Sequence, residues 1–192
     1  MADNKSEIKF ELKKLRDLLH VFVIPSKYDL GTKPLQGNRK DAGIMEKIKY
    51  IAYGSNLNLD QMAYRCPTAK VIGNANLNGY ELLFRGGNGG AVATVEKNTD
   101  SSIPVLVWEL EPSDEVALDR YEGWPHFYRK EWVKVEMGMQ WVKVMVYIMN
   151  DGRQIGSPSK QYYNTILQGY TSAGFDKTIL DNAVKKSTES VL

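Results

Sequence analysis

Residues 49–65, KYIAYGSNLNLDQMAYR, decide the fold of this 192-residue chain. The segment opens with a short β-rich run, turns at residues 54–56 and continues into a predicted helix over residues 59–65. A strand that ends in a glycine turn and leads into a helix directs successive backbone N–H groups toward one point. With the positive end of the helix, these groups can hold a carboxylate or a developing oxyanion. A plain strand-to-helix turn capped by Ser55 or Asn58 fits the same residues, so both interpretations stay open.

A second polar feature is the end of a short predicted helix in PSDEVALDRYEG, residues 112–123. Ser113 is a favourable residue for the start of this helix, and Gly123 suits the position just past its end. Glu122 therefore falls in the last turn, where the carbonyl end of the helix dipole disfavours a carboxylate. It also lies four residues after Leu118, on the apolar side of the helix.

Both surroundings are expected to raise the pKa of Glu122. A carboxyl group whose pKa is near neutral can take and give a proton, which makes Glu122 a candidate general acid and base. The equally supported alternative is a surface glutamate paired with Arg120 or Arg129. The residue types alone do not choose between these readings.

The rest of the chain predicts an α+β fold with a small, curled or barrel-like mixed β-sheet and flanking helices. Alternation of apolar and polar residues predicts a hairpin of residues 127–137 and 140–149 that turns at Gly138. Helical spacing predicts helices over residues 162–170 and 176–186. Further short strands are predicted at Tyr80–Phe84, Ala91–Glu96 and Val105–Leu110.

Residues 1–46 read as an appendage to a single domain of residues 47–192. Residues 6–19 predict an amphipathic helix, residues 20–24 a short strand, and residues 26–43 a polar linker punctuated by Gly and Pro. We expect the helix to pack on the domain or on a second copy of it, as in a homodimer.

Composition limits the partners of the protein. The 25 basic and 23 acidic residues are scattered and give a net charge of +2, so no strong field attracts nucleic acid or anionic lipid. No apolar run approaches the length that spans a bilayer, and no signal peptide opens the sequence. Cys66 is the single cysteine, which excludes an intrachain disulfide and makes the cytoplasm the default compartment.

Other motifs carry little chemistry. The segment RGGNGG, residues 85–90, lacks the Lys-Ser/Thr pair of a phosphate-binding loop and reads as a hairpin turn or a loop near the substrate. The two histidines, His20 and His126, are far apart in sequence, so a metal site is not expected. Cys66 reads as a small buried residue, and Ser55 lacks the second glycine of a hydrolase nucleophile elbow.

Taken together, the chain resembles the γ-glutamylcyclotransferase family, also described as AIG2-like. The resemblance covers about residues 49–184 and leaves residues 1–48 outside it. The matching elements occur in the order of the family, and the conjunction of YGSNL with a Tyr-Glu-Gly helix end is the most specific part. These elements are Tyr53–Leu57, Phe84–Gly86, Gly90–Val95, Val105–Leu110, Leu118–Gly123, Tyr128, Tyr147–Met149, Ser157–Ser159 and Tyr162.

The resemblance implies a small β-barrel and an enzyme that needs no cofactor. The α-amine of a γ-glutamyl amide attacks its own γ-carbonyl and releases 5-oxoproline together with an amine or amino acid. Glu122 is implied as the catalytic acid and base. The implied substrate-binding residues are Tyr53, Gly54, Ser55, Asn56, Leu57, Tyr128 and Tyr162. A non-catalytic module that binds a small molecule, on the same fold, is the alternative.

Overall fold

The structure is a computed structural model that describes residues 47–189. The predicted N-terminal helix, short strand and linker lie outside these residues, so the appendage of residues 1–46 stays a prediction. Within the described part, no helix has both the length and the apolar character needed to cross a membrane.

Five strands and four helices follow one another in the described part of the chain. A single 3₁₀ turn, Ser55–Leu57, separates the first strand from the first helix. The strands are β1 (Ile48–Ala52), β2 (Lys70–Arg85), β3 (Val92–Leu110), β4 (Tyr128–Met137) and β5 (Gln140–Met149). The helices are α1 (Leu59–Arg65), α2 (Pro112–Glu122), α3 (Lys160–Ala173) and α4 (Lys177–Glu189).

The strands close into a barrel in the order β1-β3-β2-β4-β5. Strand β1 pairs antiparallel with β3 and parallel with β5, so the sheet is mixed. The barrel closes on the other side through a single pair, Asn76 with Glu136, between β2 and β4. The predicted α+β barrel with flanking helices is therefore confirmed.

The β2–β3 hairpin is longer than the sequence predicted. Strand β2 begins at Lys70 rather than Tyr80, and the two predicted strands within residues 91–110 form one continuous strand, β3. The polar stretch in the middle of β3 hid its strand character, because the hairpin is mostly exposed there and buries few side chains. Residues 86–91 connect β2 to β3, so the segment of residues 85–90 lies at the turn of this hairpin, as one of its two readings predicted.

The β4–β5 hairpin agrees with the alternation in the sequence. Gly138 lies at its turn with a φ of 62°, a left-handed conformation that favours glycine. Val133 pairs with Val144, and Val135 with Val142, so these four valines share one face of the hairpin. The predicted hairpin is confirmed to within one residue at its start.

Helix α2 starts earlier than predicted. Its first residue is Pro112, and the residue before it, Glu111, takes the capping position that the sequence analysis gave to Ser113. The buried Asp114 carboxyl accepts a hydrogen bond of 3.0 Å from the Glu111 amide and stabilises this earlier start. The predicted end is correct, since Gly123 has a φ of 62° just after Glu122.

Polar contacts fix helix α2 on the barrel. Lys130 of β4 forms an ion pair with Asp119 at 2.7 Å and with Glu115 at 2.5 Å. The Tyr147 hydroxyl of β5 donates to Asp119 at 2.6 Å. These partly buried contacts hold the helix against β4 and β5 and help to position its last residue, Glu122.

Candidate active site

The turn after β1 is compact and buried. The Leu57 amide donates to the Gly54 carbonyl at 3.0 Å, and the Asn58 amide donates to the Ser55 carbonyl at 3.1 Å. The Asn58 side chain then accepts a hydrogen bond of 3.0 Å from the Gln61 amide and caps helix α1. Asn58 is thus the cap that the sequence left as an alternative to Ser55. Capping by Asn58 leaves the side chains of residues 55 and 56 free to contact other elements.

Three backbone amides of this turn are unused. Within residues 47–189, the N–H groups of Gly54, Ser55 and Asn56 have no protein acceptor. They are the first N–H groups of the 3₁₀ turn, which have no acceptor within the turn and stay available to another group. A ligand oxygen is the kind of acceptor to which such amides donate.

Glu122 lies against this turn. The Asn56 side-chain amide donates to the Glu122 Oε1 atom at 2.9 Å, and the same nitrogen donates to the Tyr50 hydroxyl at 2.8 Å. Asn56 is buried, while the Glu122 residue as a whole is partly exposed. The structure therefore brings together the two features that the sequence singled out, although they are 66 residues apart.

The surroundings of Glu122 raise its pKa from 4.5 to about 7. The main cause is loss of hydration, because protein atoms surround the carboxyl group and disfavour its charged form. The positive charge of Arg65 and the hydrogen bond from Asn56 act in the opposite direction and lower the pKa. The result is a carboxyl group that exchanges a proton near neutral pH.

Arg65 is a site residue that the sequence analysis missed. Its guanidinium group donates to the Asn56 Oδ1 atom at 2.5 Å and lies 3.7 Å from the ring centre of Tyr121. In the sequence, Arg65 looks like an ordinary cation in the last turn of a helix, where it complements the helix dipole. Only the packing of α1 against the end of α2 reveals the contacts of Arg65. Tyr50, in strand β1, was missed for the same reason.

The predicted tyrosines surround the turn. The Tyr128 hydroxyl donates to the Ala93 carbonyl at 2.7 Å, and the Tyr162 hydroxyl accepts from the Ala93 amide at 3.3 Å. Tyr162 also lies beside Gly54, where an added Cβ atom would come within 3.5 Å of the hydroxyl. The Tyr53 hydroxyl donates to the Tyr147 carbonyl at 2.6 Å. Burial raises the pKa of all three predicted tyrosines, so they remain neutral.

Leu57 differs from the other predicted binding residues. Its side chain is fully buried and packs against Gly169 of helix α3, where an added Cβ would lie 2.5 Å from the Leu57 Cβ. Its amide is used within the turn. Leu57 therefore anchors the turn to the protein core.

Cys66 is poorly suited to act as a nucleophile. Cys66 is buried, as predicted, and its pKa is raised to about 12, so a thiolate is strongly disfavoured. In the part of the chain that the structure describes, no group of three or more His, Cys, Asp or Glu side chains is arranged to hold a metal ion.

A polar cleft of about 430 Å³ lies elsewhere on the barrel. Arg85, Arg129 and Arg153 line it, and Glu122 does not. Arg85 and Arg129 are ion-paired with Glu96 and Glu131, respectively. Glu122 and the turn after β1 are thus separate from this cleft.

The fold and this arrangement define a class of protein. Residues 50–167 match the family described as gamma-glutamyl cyclotransferase, AIG2-like. The match covers more than half of the sequence, and the chain belongs to this family. The resemblance noted from the sequence is therefore confirmed. The family to which the chain belongs is a family of enzymes.

Individual relatives agree with this membership. The human gamma-glutamylcyclotransferase is 26% identical over 148 residues, which are 67% of this chain and 73% of the relative. The bovine gamma-glutamylcyclotransferase is 31% identical over 85 residues, which are 41% of this chain and 45% of the relative.

Solved structures show the same fold. A structure described as gamma-glutamyl cyclotransferase is similar with a TM-score of 0.65 at 26% identity and covers 72% of this chain and 86% of its own. YkqA from Bacillus subtilis is similar with a TM-score of 0.62 at 19% identity, over 73% of this chain and 54% of its own. At that identity, the second likeness concerns the fold alone.

Proposed function

We propose that this protein cleaves a γ-glutamyl amide by internal cyclisation and releases 5-oxoproline together with an amine or amino acid. The observation that carries the proposal is the position of Glu122, a carboxyl group with a pKa of about 7 that is hydrogen-bonded to the turn holding three unpaired amides. Family membership and the names of the human and bovine relatives support the same reaction class.

Glu122 is the proposed proton carrier. In the carboxylate form it accepts a proton from the α-amine nitrogen as that nitrogen bonds to the γ-carbon. It then donates this proton to the amide nitrogen as the bond between that nitrogen and the γ-carbon breaks. The carboxyl group ends in its starting form, so one residue serves both proton transfers and the reaction requires no cofactor.

The turn after β1 supplies the proposed electrostatic stabilisation. While the tetrahedral intermediate exists, the γ-carbonyl oxygen carries a negative charge that needs hydrogen-bond donors. The unpaired amides of Gly54, Ser55 and Asn56 are donors of this kind, each worth about 3 kcal/mol when well placed. They could equally bind the substrate carboxylate, and both roles require a γ-glutamyl group beside Glu122.

Cyclisation also accounts for a site without a nucleophilic side chain. The attacking amine and the carbonyl group belong to one molecule. The protein therefore need only hold the substrate in the bent conformation that closes a five-membered ring. Tyr53, Tyr128 and Tyr162 are the proposed walls of this site, with hydroxyl groups held by backbone atoms of the barrel.

The test is product analysis with a panel of γ-glutamyl amino acids, peptides and amines in water enriched in ¹⁸O. Cyclisation predicts equal amounts of 5-oxoproline and free amine, with no ¹⁸O in the 5-oxoproline. Glutamate that carries ¹⁸O would instead indicate hydrolysis. Binding of panel members without any product would indicate a non-catalytic binding module.

A further inference from the structure

We propose that Arg65 is a positioning residue that fixes the side-chain amide of Asn56 in the orientation that Glu122 requires. The inference deepens the proposed function and rests on it where turnover is concerned. The effect of Arg65 on the titration of Glu122 is a property of the folded protein and is tested separately from activity.

The contacts of Arg65 form a fixed frame around Asn56. One terminal nitrogen of the guanidinium group donates to the Asn56 Oδ1 atom at 2.5 Å and to the Ser55 Oγ atom at 3.3 Å. The other terminal nitrogen donates to the Tyr121 hydroxyl at 2.7 Å and to the Gln61 Oε1 atom at 2.7 Å. A planar guanidinium group with several partners has little freedom to rotate.

This frame determines which end of the Asn56 amide faces Glu122. An amide side chain has one acceptor oxygen and a nitrogen with two donor hydrogens. Because Arg65 can only donate, the Asn56 oxygen must point toward Arg65, and the nitrogen is left to donate to Glu122 and Tyr50. The reversed amide would place its oxygen against the Glu122 carboxylate and its nitrogen against a cation.

Arg65 is also the charge that acts on Glu122. Among residues 47–189, it is the charged group that lowers the pKa of Glu122, and the other titratable groups that face the carboxyl are neutral near pH 7. These groups come from α3, the strands, the turn after β1 and the residue that follows α1, and they are Tyr50, Tyr53, Cys66, Tyr128, Tyr147 and Tyr162.

The test compares three variants of the full chain. Arg65→Met removes both the charge and the frame, and Arg65→Lys keeps the charge but not the planar group. Arg120→Met is the matched control, because Arg120 is exposed in α2 and has no side-chain partner within residues 47–189. Circular dichroism and thermal unfolding establish that each variant is folded. The titration of Glu122 is followed by NMR of ¹³C-labelled glutamate, and its signal is assigned by its loss in Glu122→Gln.

We expect the pKa of Glu122 to rise by about one in Arg65→Met and to stay unchanged in Arg120→Met. Turnover of the γ-glutamyl substrate should fall about tenfold in Arg65→Met, with a smaller change in KM. Arg65→Lys keeps the positive charge, so the pKa of Glu122 should rise less than in Arg65→Met. Turnover should still fall, because one ammonium group cannot hold the same partners.

The outcomes separate this inference from the proposed function. If the wild-type chain releases no 5-oxoproline, the proposed function fails, while the NMR titration still decides the role of Arg65. A Glu122 titration in Arg65→Met that matches Arg120→Met would overturn the inference. If Arg65→Met does not fold, wild-type turnover in Arg65→Lys would overturn it in the same way.

Discussion

The Asn56 side-chain amide lies 2.9 Å from the Glu122 carboxyl and joins the turn after β1 to the last turn of α2. Neither element makes the site by itself. The turn provides unpaired amides, and the helix provides a carboxyl group whose pKa is about 7. Changes in either element, or in the packing that holds them together, should therefore alter the same activity.

Turnover should depend on the protonation of Glu122. Its pKa is about 7, and the carboxylate form accepts the proton from the attacking nitrogen. We therefore expect kcat/KM to fall as the pH is lowered through about 7, since protonation removes the base. Measuring kcat/KM from about pH 5 to pH 9 at constant ionic strength tests this prediction. A profile that falls only near the ordinary glutamate pKa would contradict it.

The raised pKa of Glu122 also predicts a dependence of stability on pH. Between 4.5 and about 7, the folded protein binds more protons at this residue than the unfolded chain does. The free energy of unfolding should therefore fall as the pH rises through this window. Glu122→Gln removes this loss of stability at high pH. Above pH 7, the free energy of unfolding of the variant should therefore exceed that of the wild type by up to about 3 kcal/mol.

Urea unfolding of both proteins at pH 4.5 and pH 8 measures this gain. The variant should be more stable at the higher pH, and the difference should largely vanish at the lower one. Equal differences at both pH values would show that Glu122 has an ordinary pKa in the folded protein.

Gly169 should be required for the position of the turn after β1. An alanine Cβ at this site would lie 2.5 Å from the Leu57 Cβ and 2.7 Å from the Leu57 carbonyl carbon. Alanine stabilises a helix more than glycine does, but this clash should still destabilise Gly169→Ala by about 1–3 kcal/mol and lower turnover. Gly87→Ala is the matched control, because no atom lies within 4 Å of its added Cβ. Similar stability and turnover in both variants would contradict this role of Gly169.

Tyr128 should contribute to stability through its hydroxyl group. This group donates to the buried Ala93 carbonyl at 2.7 Å, and its removal leaves that carbonyl without the bond. Tyr128→Phe should therefore lower the free energy of unfolding by about 1–3 kcal/mol. Tyr64→Phe, at a side chain that is 89% exposed, should change it little. Chemical denaturation of the two variants in parallel measures both values, and an equal effect would contradict the assigned bond.

The sequence predicted the parts of this protein that depend on local patterns. The β4–β5 hairpin, the end of α2 at Gly123 and the turn after β1 follow from alternation, capping and glycine placement. The full length of β2 and β3 could not be predicted from such patterns, because an exposed hairpin arm carries little apolar alternation. A capping carboxylate, Asp114, likewise moved the start of α2 in a way that residue preference does not show.

The candidate site followed from sequence only in part. Glu122 stood out because a carboxylate is unfavourable at a helix end, and the turn stood out because of Gly54. The role of Arg65 depends on how α1 packs against α2, which no local pattern contains. The same applies to Leu57, whose side chain the fold directs into the core.

The most direct test of the central claim is 5-oxoproline release by Glu122→Gln under saturating γ-glutamyl substrate, with substrate affinity measured by calorimetry. Glutamine keeps the shape of the side chain and can still accept the bond from Asn56, but it cannot carry the proton. The account predicts an unchanged fold, affinity close to that of the wild type and a loss of turnover of at least about 100-fold. Normal 5-oxoproline release by this variant would contradict it.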